Sequence, residues 1–363
     1  MSKIYLDDPN LGSLEKEYLN KAIDTNYVSV VGPYVPEFEE RFEKYLGVER
    51  AVSTQSGTAA LHMALYQSGI GEGDEVIVPS LTFIATINSV LYTEAKPVIV
   101  DVDSTTWNID IDEIKKAISP KTKAIIPVHL YGSVCNIDEI IKIARENNLV
   151  IIEDATESLG ATYIGKQTGT FGDFGCFSFN GNKLITTGGG GMIVSNSIEK
   201  AEHIKFLVNQ ARDATKGYYH PELGFNFRMT NIEASLGLAQ LSRIDNFLEK
   251  KRKFRQIYQE ALKDLSYIEF QKSPDCTDGS WWLTSIKINK QINIDNLRLK
   301  LKEKGIPTRR IFMPASEMPY LKKYSKDCPN AYEIYNQGIC LPSSTLNEEE
   351  DIRKAALVIS ELL

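Results

Sequence analysis

The chain has 363 residues, with 41 Lys and Arg against 48 Asp and Glu, which gives a formal net charge of −7. This length predicts about two domains. The 42% of apolar and 25% of charged residues predict an ordinary globular protein and exclude a disordered or collagen-like chain. The negative charge argues against a general nucleic-acid-binding protein, but it does not exclude a small anionic ligand at a local cationic site.

Several other classes of protein are disfavoured by what the sequence lacks. No apolar run approaches the roughly 18 residues that a membrane span needs, and the first residues, MSKIYLDDPNLG, have no apolar signal core. No CxxC, HxxxH or HxH spacing occurs, so we expect no structural metal site, no disulfide framework and a reducing cytoplasmic location. The five cysteines are Cys135, Cys176, Cys276, Cys328 and Cys340.

In chain order, an N-terminal arm at 1–12 precedes two helical patterns near 13–24 and 35–46. From residue 50 onward, continuous apolar runs alternate with helical patterns. Such runs indicate strands buried on both faces, and the alternation predicts a mostly parallel sheet between helices. The predicted strands cover 51–54, 75–80, 96–102, 123–130 and 149–155, and the predicted helices between them cover 58–68, 82–94, 109–118 and 137–148.

The pattern changes after residue 160. Residues 160–196 are rich in glycine and predict short strands and turns, and a long charged helix pattern follows at 243–264. A strand at 281–288 and two further helices at 293–305 and 347–363 then predict a smaller α+β unit. The sequence therefore predicts three parts: an arm at 1–12, a large α/β domain at 13–245 and a small C-terminal α+β domain at 246–363.

Two positions in the large domain suit an anionic ligand or a catalytic carboxylate. Ser56, Gly57 and Thr58 open a predicted helix, where free backbone N–H groups favour a phosphate, although an ordinary helix cap fits the same residues. Asp154 ends an apolar strand, and ligands of open α/β sheets bind beyond the carboxyl ends of the strands. A functional carboxylate and a simple helix cap are both open for Asp154.

Lys183 stands in the segment FSFNGNKLITTGGGG, and the next charged residue is Glu199. A lone lysine in such surroundings is unusual, since burial lowers the pKa of an amine and makes it a nucleophile suited to forming a Schiff base. The alternative is a lysine that extends to solvent from a turn.

Pyridoxal phosphate (PLP) needs a lysine, a carboxylate, a phosphate cup and a flat apolar face. Lys183, Asp154, Ser56–Thr58 and Phe83 match these four needs in that order.

Beyond these single features, the chain resembles the DegT/StrS family of PLP-dependent sugar-nucleotide aminotransferases from about residue 5 to its C-terminus. The resemblance implies the fold-type I aminotransferase fold, a large α/β/α domain with a mostly parallel sheet plus a smaller C-terminal α+β domain. It is carried by motifs in order and at similar spacing, namely SGTAALHMAL, GDEVIVPSLTFIAT, IIPVHLYG, EDATESLGA, GTFGDFGCFSFNGNKLITTGGGGM and GFNFRMTNIEASLGLAQL.

The resemblance implies roles for eight residues. Lys183 would attach PLP, Asp154 would meet the ring nitrogen, Glu157 would lie near the ring hydroxyl and Phe83 would stack on the ring. The remaining residues concern the phosphate group. It would be held by Gly57, Thr58 and Ser178, together with Asn226 from the other subunit of a homodimer with shared active sites. Ser316 replaces a histidine that is common in the substrate loop of the family.

The motifs around Asp154 and Lys183 look most like the branch that aminates C4 of UDP-4-keto-6-deoxy-N-acetylhexosamines, in bacillosamine and legionaminic acid pathways. GDP-perosamine synthases are nearly as similar. The family implies L-glutamate as the amino donor and 2-oxoglutarate as its product. Two rivals stay open, a PLP-dependent sugar dehydratase and a non-catalytic regulator. Related dehydratases replace the lysine with histidine, so the lysine at 183 favours transamination.

Overall fold

The computed structural model describes residues 3–324 and 326–363, so the first two residues of the predicted arm lie outside the described part. The strands of this part are β1 (Arg50–Thr54), β2 (Glu75–Pro79), β3 (Lys96–Val100), β4 (Thr122–Ile125), β5 (Val150–Asp154), β6 (Thr162–Tyr163), β7 (Lys166–Gln167), β8 (Phe174–Ser178), β9 (Gly191–Ser195), β10 (Ile268–Phe270), β11 (Thr277–Asp278), β12 (Ser285–Ile288), β13 (Arg309–Arg310) and β14 (Gly338–Cys340). The helices are α1 (Ser13–Asp24), α2 (Tyr34–Leu46), α3 (Gly57–Gln67), α4 (Ala85–Tyr92), α5 (Ile111–Ala117), α6 (Ile137–Asn147), α7 (Ile198–Leu207), α8 (Asn231–Leu241), α9 (Ile244–Leu262), α10 (Ile294–Glu303), α11 (Pro329–Gln337) and α12 (Glu349–Leu362).

A seven-stranded sheet forms the centre of the larger part, with the strand order β1-β9-β8-β5-β4-β2-β3. The pairs along β8-β5-β4-β2-β3 are parallel, and β9 runs antiparallel to both of its neighbours. The prediction of an α/β fold with a mostly parallel sheet is therefore confirmed. Strand β5 is the fourth of the seven strands, so its carboxyl end lies at the middle of the sheet.

Both faces of this sheet are buried, as the continuous apolar runs predict. In β2, Val76 and Val78 belong to a cluster with α3, α4 and α7, whereas Ile77 faces the opposite cluster with α5 and α6. Successive side chains of a strand point to opposite faces, so a strand between two helical layers must be apolar at every position.

Most predicted elements are present, and the differences have local reasons. The strand predicted over 123–130 ends at Ile125, because Pro127 has no backbone N–H for continued pairing. Helix α4 starts three residues later than predicted, at Ala85. The sequence patterns did not predict α7, α8 or α11; α8 is buried along most of its length and shows little amphipathic periodicity.

The C-terminal part contains a second, antiparallel sheet with the order β10-β12-β14-β13. Helix α9 connects the two parts: Phe247 and Leu248 near its start pack in a cluster with β8 and β9, and Phe254 and Tyr258 pack with β12 and α12. The boundary near residue 245 thus falls at the start of a helix that contributes to both cores, and it stays a prediction.

The described residues of the arm run along the C-terminal part without forming a helix or strand. Ile4 is buried in the cluster around α9 and α12, and Tyr5 exchanges two hydrogen bonds with the Asn347 side chain. The Leu6 carbonyl accepts a hydrogen bond of 2.7 Å from Ser343 N. None of the helices in residues 3–324 and 326–363 is long and apolar enough to cross a membrane.

Candidate active site

A cavity of about 470 Å³ opens at the carboxyl edge of the large sheet. It is bordered by the ends of β5 and β8 and by the N-terminus of α3, the position at which open α/β sheets bind ligands. Seven of the eight predicted site residues line it: Gly57, Thr58, Phe83, Asp154, Glu157, Ser178 and Lys183. The eighth, Asn226, does not. Their roles stay predictions, but the fold brings the seven together from four separate stretches of chain.

Asp154 is buried at the end of β5, and its carboxylate is held in a fixed orientation. The hydroxyl of Thr86 on α4 donates to Oδ2 at 2.7 Å, and the hydroxyl and backbone N–H of Thr156 donate to Oδ1 at 2.7 and 3.2 Å. These bonds leave acceptor capacity that faces the cavity. A protonated ring nitrogen is the kind of donor that fits a buried carboxylate of this type.

The neighbouring carboxylate, Glu153, points away from the cavity because successive residues of a strand face opposite sides. It accepts backbone N–H bonds from Gly169, Phe171 and Gly172 at 2.6–2.8 Å, and it lies 3.0 Å from the ring of buried His129. Glu153 therefore holds the loop at residues 169–172 in place, whereas Asp154 lines the cavity.

Lys183 lies in a turn after β8, where its backbone N–H bonds to the Asn180 carbonyl at 3.0 Å. Its side chain is only 13% exposed, so it does not extend to solvent. The Nζ atom lies 4.1 Å from the centroid of the Trp282 ring and 3.6 Å from Oε1 of Glu157. The amine therefore stands inside the cavity between an aromatic face and a carboxyl group.

Glu157 is buried beside Lys183, and its Oε2 accepts a hydrogen bond of 2.9 Å from Tyr131 N. Burial raises the pKa of the Glu157 carboxyl above its ordinary value, and the nearby Lys183 ammonium opposes that shift. Because its pKa is raised, the Glu157 carboxyl gains a proton more readily than an ordinary glutamate. Beside the Lys183 amine, it is suited to a hydrogen bond with a hydroxyl group of a ligand.

The N-terminus of α3 also borders the cavity, through Ser56, Gly57 and Thr58. A Cβ atom on Gly57 would stand 2.9 Å from Ser178 Cβ, so only glycine lets the serine approach the first turn of the helix this closely. The Ser56 hydroxyl caps the helix through Ala59 N at 3.1 Å. The first-turn N–H groups and the hydroxyls of Thr58 and Ser178 together fit a phosphate group.

Phe83 lies at the mouth of the cavity and is 55% exposed. Its ring is 5.8 Å from that of Phe312, which also lines the cavity. Because much of the Phe83 ring is exposed at the mouth of the cavity, a planar ligand could stack on it and cover it. The stacking role of Phe83 stays a prediction.

Two predicted residues lie away from the cavity of their own chain. Asn226 is exposed, in a segment that bridges to Asn209. Ser316 donates to the Tyr332 hydroxyl at 3.0 Å and does not line the cavity. From the same C-terminal region, Arg309 and Phe312 line it instead.

Sequence reasoning missed Thr86, Thr156, Trp282 and Arg309. Thr156 had a local signal, because a threonine two residues after an aspartate commonly bonds to its carboxylate. Trp282 and Arg309 had none, since they reach the cavity from the segment before β12 and from β13, about 100 residues or more after Lys183 in the sequence. Within the described part of the chain, no cluster of three or more His, Cys, Asp or Glu could hold a metal ion.

The cavity thus offers a lysine, an oriented carboxylate and a phosphate cup, which fits PLP. Residues 9–360 match the model of the DegT/DnrJ/EryC1/StrS aminotransferase family. The chain belongs to this family. It is therefore a PLP-dependent enzyme, and the expected cofactor and the expected fold are both confirmed.

Three members of the DegT/DnrJ/EryC1/StrS family show how similar the chain is to known proteins. It is 40% identical to the GDP-perosamine synthase of Caulobacter vibrioides, over 100% of this chain and 99% of that protein. It is 42% identical to the GDP-perosamine synthase of Escherichia coli O157:H7, over 96% of both. The protein named putative sugar aminotransferase Spr1654, from Streptococcus pneumoniae, has been solved in a PLP form and a PMP form. Its PMP form superposes on this chain with a TM-score of 0.95, at 26% identity over 99% of this chain and 98% of that one. The chain is thus a sugar aminotransferase.

Proposed function

We propose that the chain transfers the amino group of L-glutamate to C4 of a GDP-linked 4-keto-6-deoxy sugar. One observation supports GDP as the nucleotide of the substrate. The chain is 40% and 42% identical, over nearly its full length, to two proteins named GDP-perosamine synthase. A UDP-linked 4-keto-6-deoxy-N-acetylhexosamine is the second candidate, because the motifs around Asp154 and Lys183 look most like that branch.

PLP, when bound, supplies an electron sink that stabilises negative charge on the carbon next to the reacting nitrogen. The residues of this chain supply the rest. Lys183 stands in the cavity, where its amine would take the proton from Cα of glutamate and pass it to the cofactor in the first half-reaction, and would donate a proton to C4 of the sugar in the second. Asp154, oriented by Thr86 and Thr156, presents its carboxyl group to the site at the end of β5.

We also propose a homodimer in which each subunit completes the active site of the other. Asn226 is exposed and outside the cavity of its own chain, which is the placement that a residue acting on the other subunit requires. The fold alone does not bring it to the phosphate cup. The pairing of the two subunits therefore rests on the family resemblance and on this placement.

The direct test is an assay of the purified protein with L-glutamate and a panel of GDP- and UDP-linked 4-keto-6-deoxy sugars. We expect formation of 2-oxoglutarate and an amino sugar, fastest with the GDP substrate. Faster turnover of a UDP-N-acetylhexosamine would select the second candidate instead. Consumption of the sugar without glutamate would indicate a dehydratase.

A non-catalytic regulator is the rival from another class. The lysine and the carboxylate of the site are both present and face one cavity, which argues against it. A purified sample should absorb in the visible range, and glutamate should remove that absorption. A protein that binds PLP but does not respond to glutamate would favour the regulator.

A further inference from the structure

Arg309 is a second basic residue in the cavity, and it has no part in the steps assigned above to Lys183 and Asp154. It lies on the two-residue strand β13, next to Arg310. Because neighbouring residues of a strand face opposite sides, Arg310 turns outward, where its NH1 is 2.7 Å from Asp295 and its guanidinium lies 4.2 Å from the Tyr335 ring centroid. Arg309 lines the cavity.

The N-terminal arm holds one edge of the Arg309 guanidinium. Asp7 accepts a hydrogen bond from its NH2 group, and the same carboxylate oxygen accepts a bond of 2.9 Å from the Asn182 side chain. Among the described residues, Asp7 is the acceptor that Arg309 contacts. A guanidinium has five N–H donors in a planar fork, so its other donors are available to a ligand in the cavity.

Arg309 and Lys183 are the basic side chains among the described residues that line the cavity, and they share one neighbour. The Arg309 Cζ atom is 6.0 Å and the Lys183 Nζ atom 4.1 Å from the centroid of the Trp282 ring. Both cations thus lie beside the Trp282 ring, and an anionic group that binds Arg309 in the cavity is held on the side of the reacting amine.

We propose that Arg309 binds the α-carboxylate of the amino donor. This inference rests on the proposed function for the nature of the donor, an α-amino acid. In such a donor the carboxylate is attached to the same carbon as the nitrogen that reacts, so it must bind near Lys183. The diphosphate of a nucleotide sugar is separated from a C4 carbonyl by the width of the sugar ring. A planar guanidinium also matches a carboxylate with two parallel hydrogen bonds.

The probe for this site is glutarate, a dicarboxylate with neither an amine nor a keto group, so it binds without reacting. Its affinity for the PLP-loaded protein is measured by calorimetry, and that of L-glutamate by the change in visible absorption. We expect Arg309→Gln to weaken both by about 10- to 100-fold, the range for a charge-assisted hydrogen-bonded pair. Arg310→Gln, its neighbour on the outer face, is the matched control and should change neither.

The second arm uses protein converted beforehand to the PMP form, which is mixed with the keto-sugar. Arg309→Gln should keep the Michaelis constant for the sugar within about twofold, since only donor binding uses this residue. Weaker sugar binding with unchanged glutarate binding would overturn the proposal and assign Arg309 to the sugar phosphates. Unchanged binding of both ligands would overturn it as well.

The variant Arg309→Lys keeps the charge and loses the fork, so it should recover only part of the glutarate affinity. If Arg309→Gln fails to fold, this variant and the wild-type protein still provide the comparison. Failure of the proposed function is separable: glutarate binding that depends on Arg309, in an enzyme that aminates none of the sugars, would contradict the substrate and leave the carboxylate site standing.

Discussion

The hydroxyl of Thr86 donates a hydrogen bond of 2.7 Å to Oδ2 of Asp154. This bond joins the first turns of α4 to the end of β5, and with Thr156 it fixes the carboxylate before any ligand enters. The orientation of the acid is therefore a property of the folded chain.

Replacement of Asp154 by Asn should lower turnover by about a hundredfold or more, because it leaves the protonated ring of the cofactor without its buried counter-charge. Thr86→Val should lower turnover less, since it removes one orienting bond and keeps the charge. Thr86→Ser retains the hydroxyl and serves as the control. Steady-state rates with glutamate and the keto-sugar measure the effect; an Asp154→Asn enzyme with normal turnover would remove Asp154 from the mechanism.

Borohydride reduction of the PLP-loaded protein, followed by peptide mapping, should place the label on Lys183. Lys251 is the informative comparison, because it is also buried and its Nζ donates to the carbonyl of Trp282 at 2.8 Å, yet it does not line the cavity. Lys183→Ala should lose the label and reduce turnover at least about a thousandfold. Lys251→Met should be labelled like the wild type, and a label on Lys251 would contradict the assignment of Lys183.

Mixed dimers test the shared active site. Asn226→Asp should weaken activity because it opposes a phosphate with a negative charge, and Lys183→Ala should abolish it. In a heterodimer of these two variants, one site combines an intact Lys183 with an intact Asn226. If the subunits exchange at random, an equal mixture should recover about a quarter of the wild-type activity. No recovery in heterodimers whose formation is verified would contradict sharing.

Stability should depend on pH through Lys251. Burial lowers the pKa of this amine to about 7, against an ordinary value of 10.5, and the charge of Asp7 opposes the shift. Between these two values the unfolded chain binds the proton that the folded chain has lost, so stability rises with pH in this window. We expect a contribution of about 1–3 kcal/mol to the free energy of unfolding between about pH 7 and about pH 9.

Urea unfolding of the wild type and Lys251→Met at these two pH values measures that contribution. The methionine variant should lack this part of the rise. Lys253→Met is the control, because Lys253 is exposed two residues further along the same helix, and it should keep the wild-type dependence. The same pH dependence in Lys251→Met and the wild type would contradict the prediction.

Much of the fold followed from the sequence because its determinants are local. A strand buried on both faces has to be apolar throughout, and a repeated alternation of such strands with helices permits few topologies. Helix α8 was missed for the converse reason: it is buried on most sides, and its buried residues include the polar Asn231, Ser235 and Gln240, so no periodic apolar pattern marks it.

The amino-acid sequence by itself determined the mostly parallel sheet and the family, and it indicated Lys183 and Asp154 as candidate site residues. Only the tertiary structure decided that Glu153 turns away from the site while Asp154 faces it, and that Trp282, Arg309 and Asp7 meet around Lys183. The physical reason is that hydrophobic periodicity and helix caps act between near neighbours in the chain. The contacts around Lys183 depend instead on packing between segments about 100 or more residues apart in the sequence.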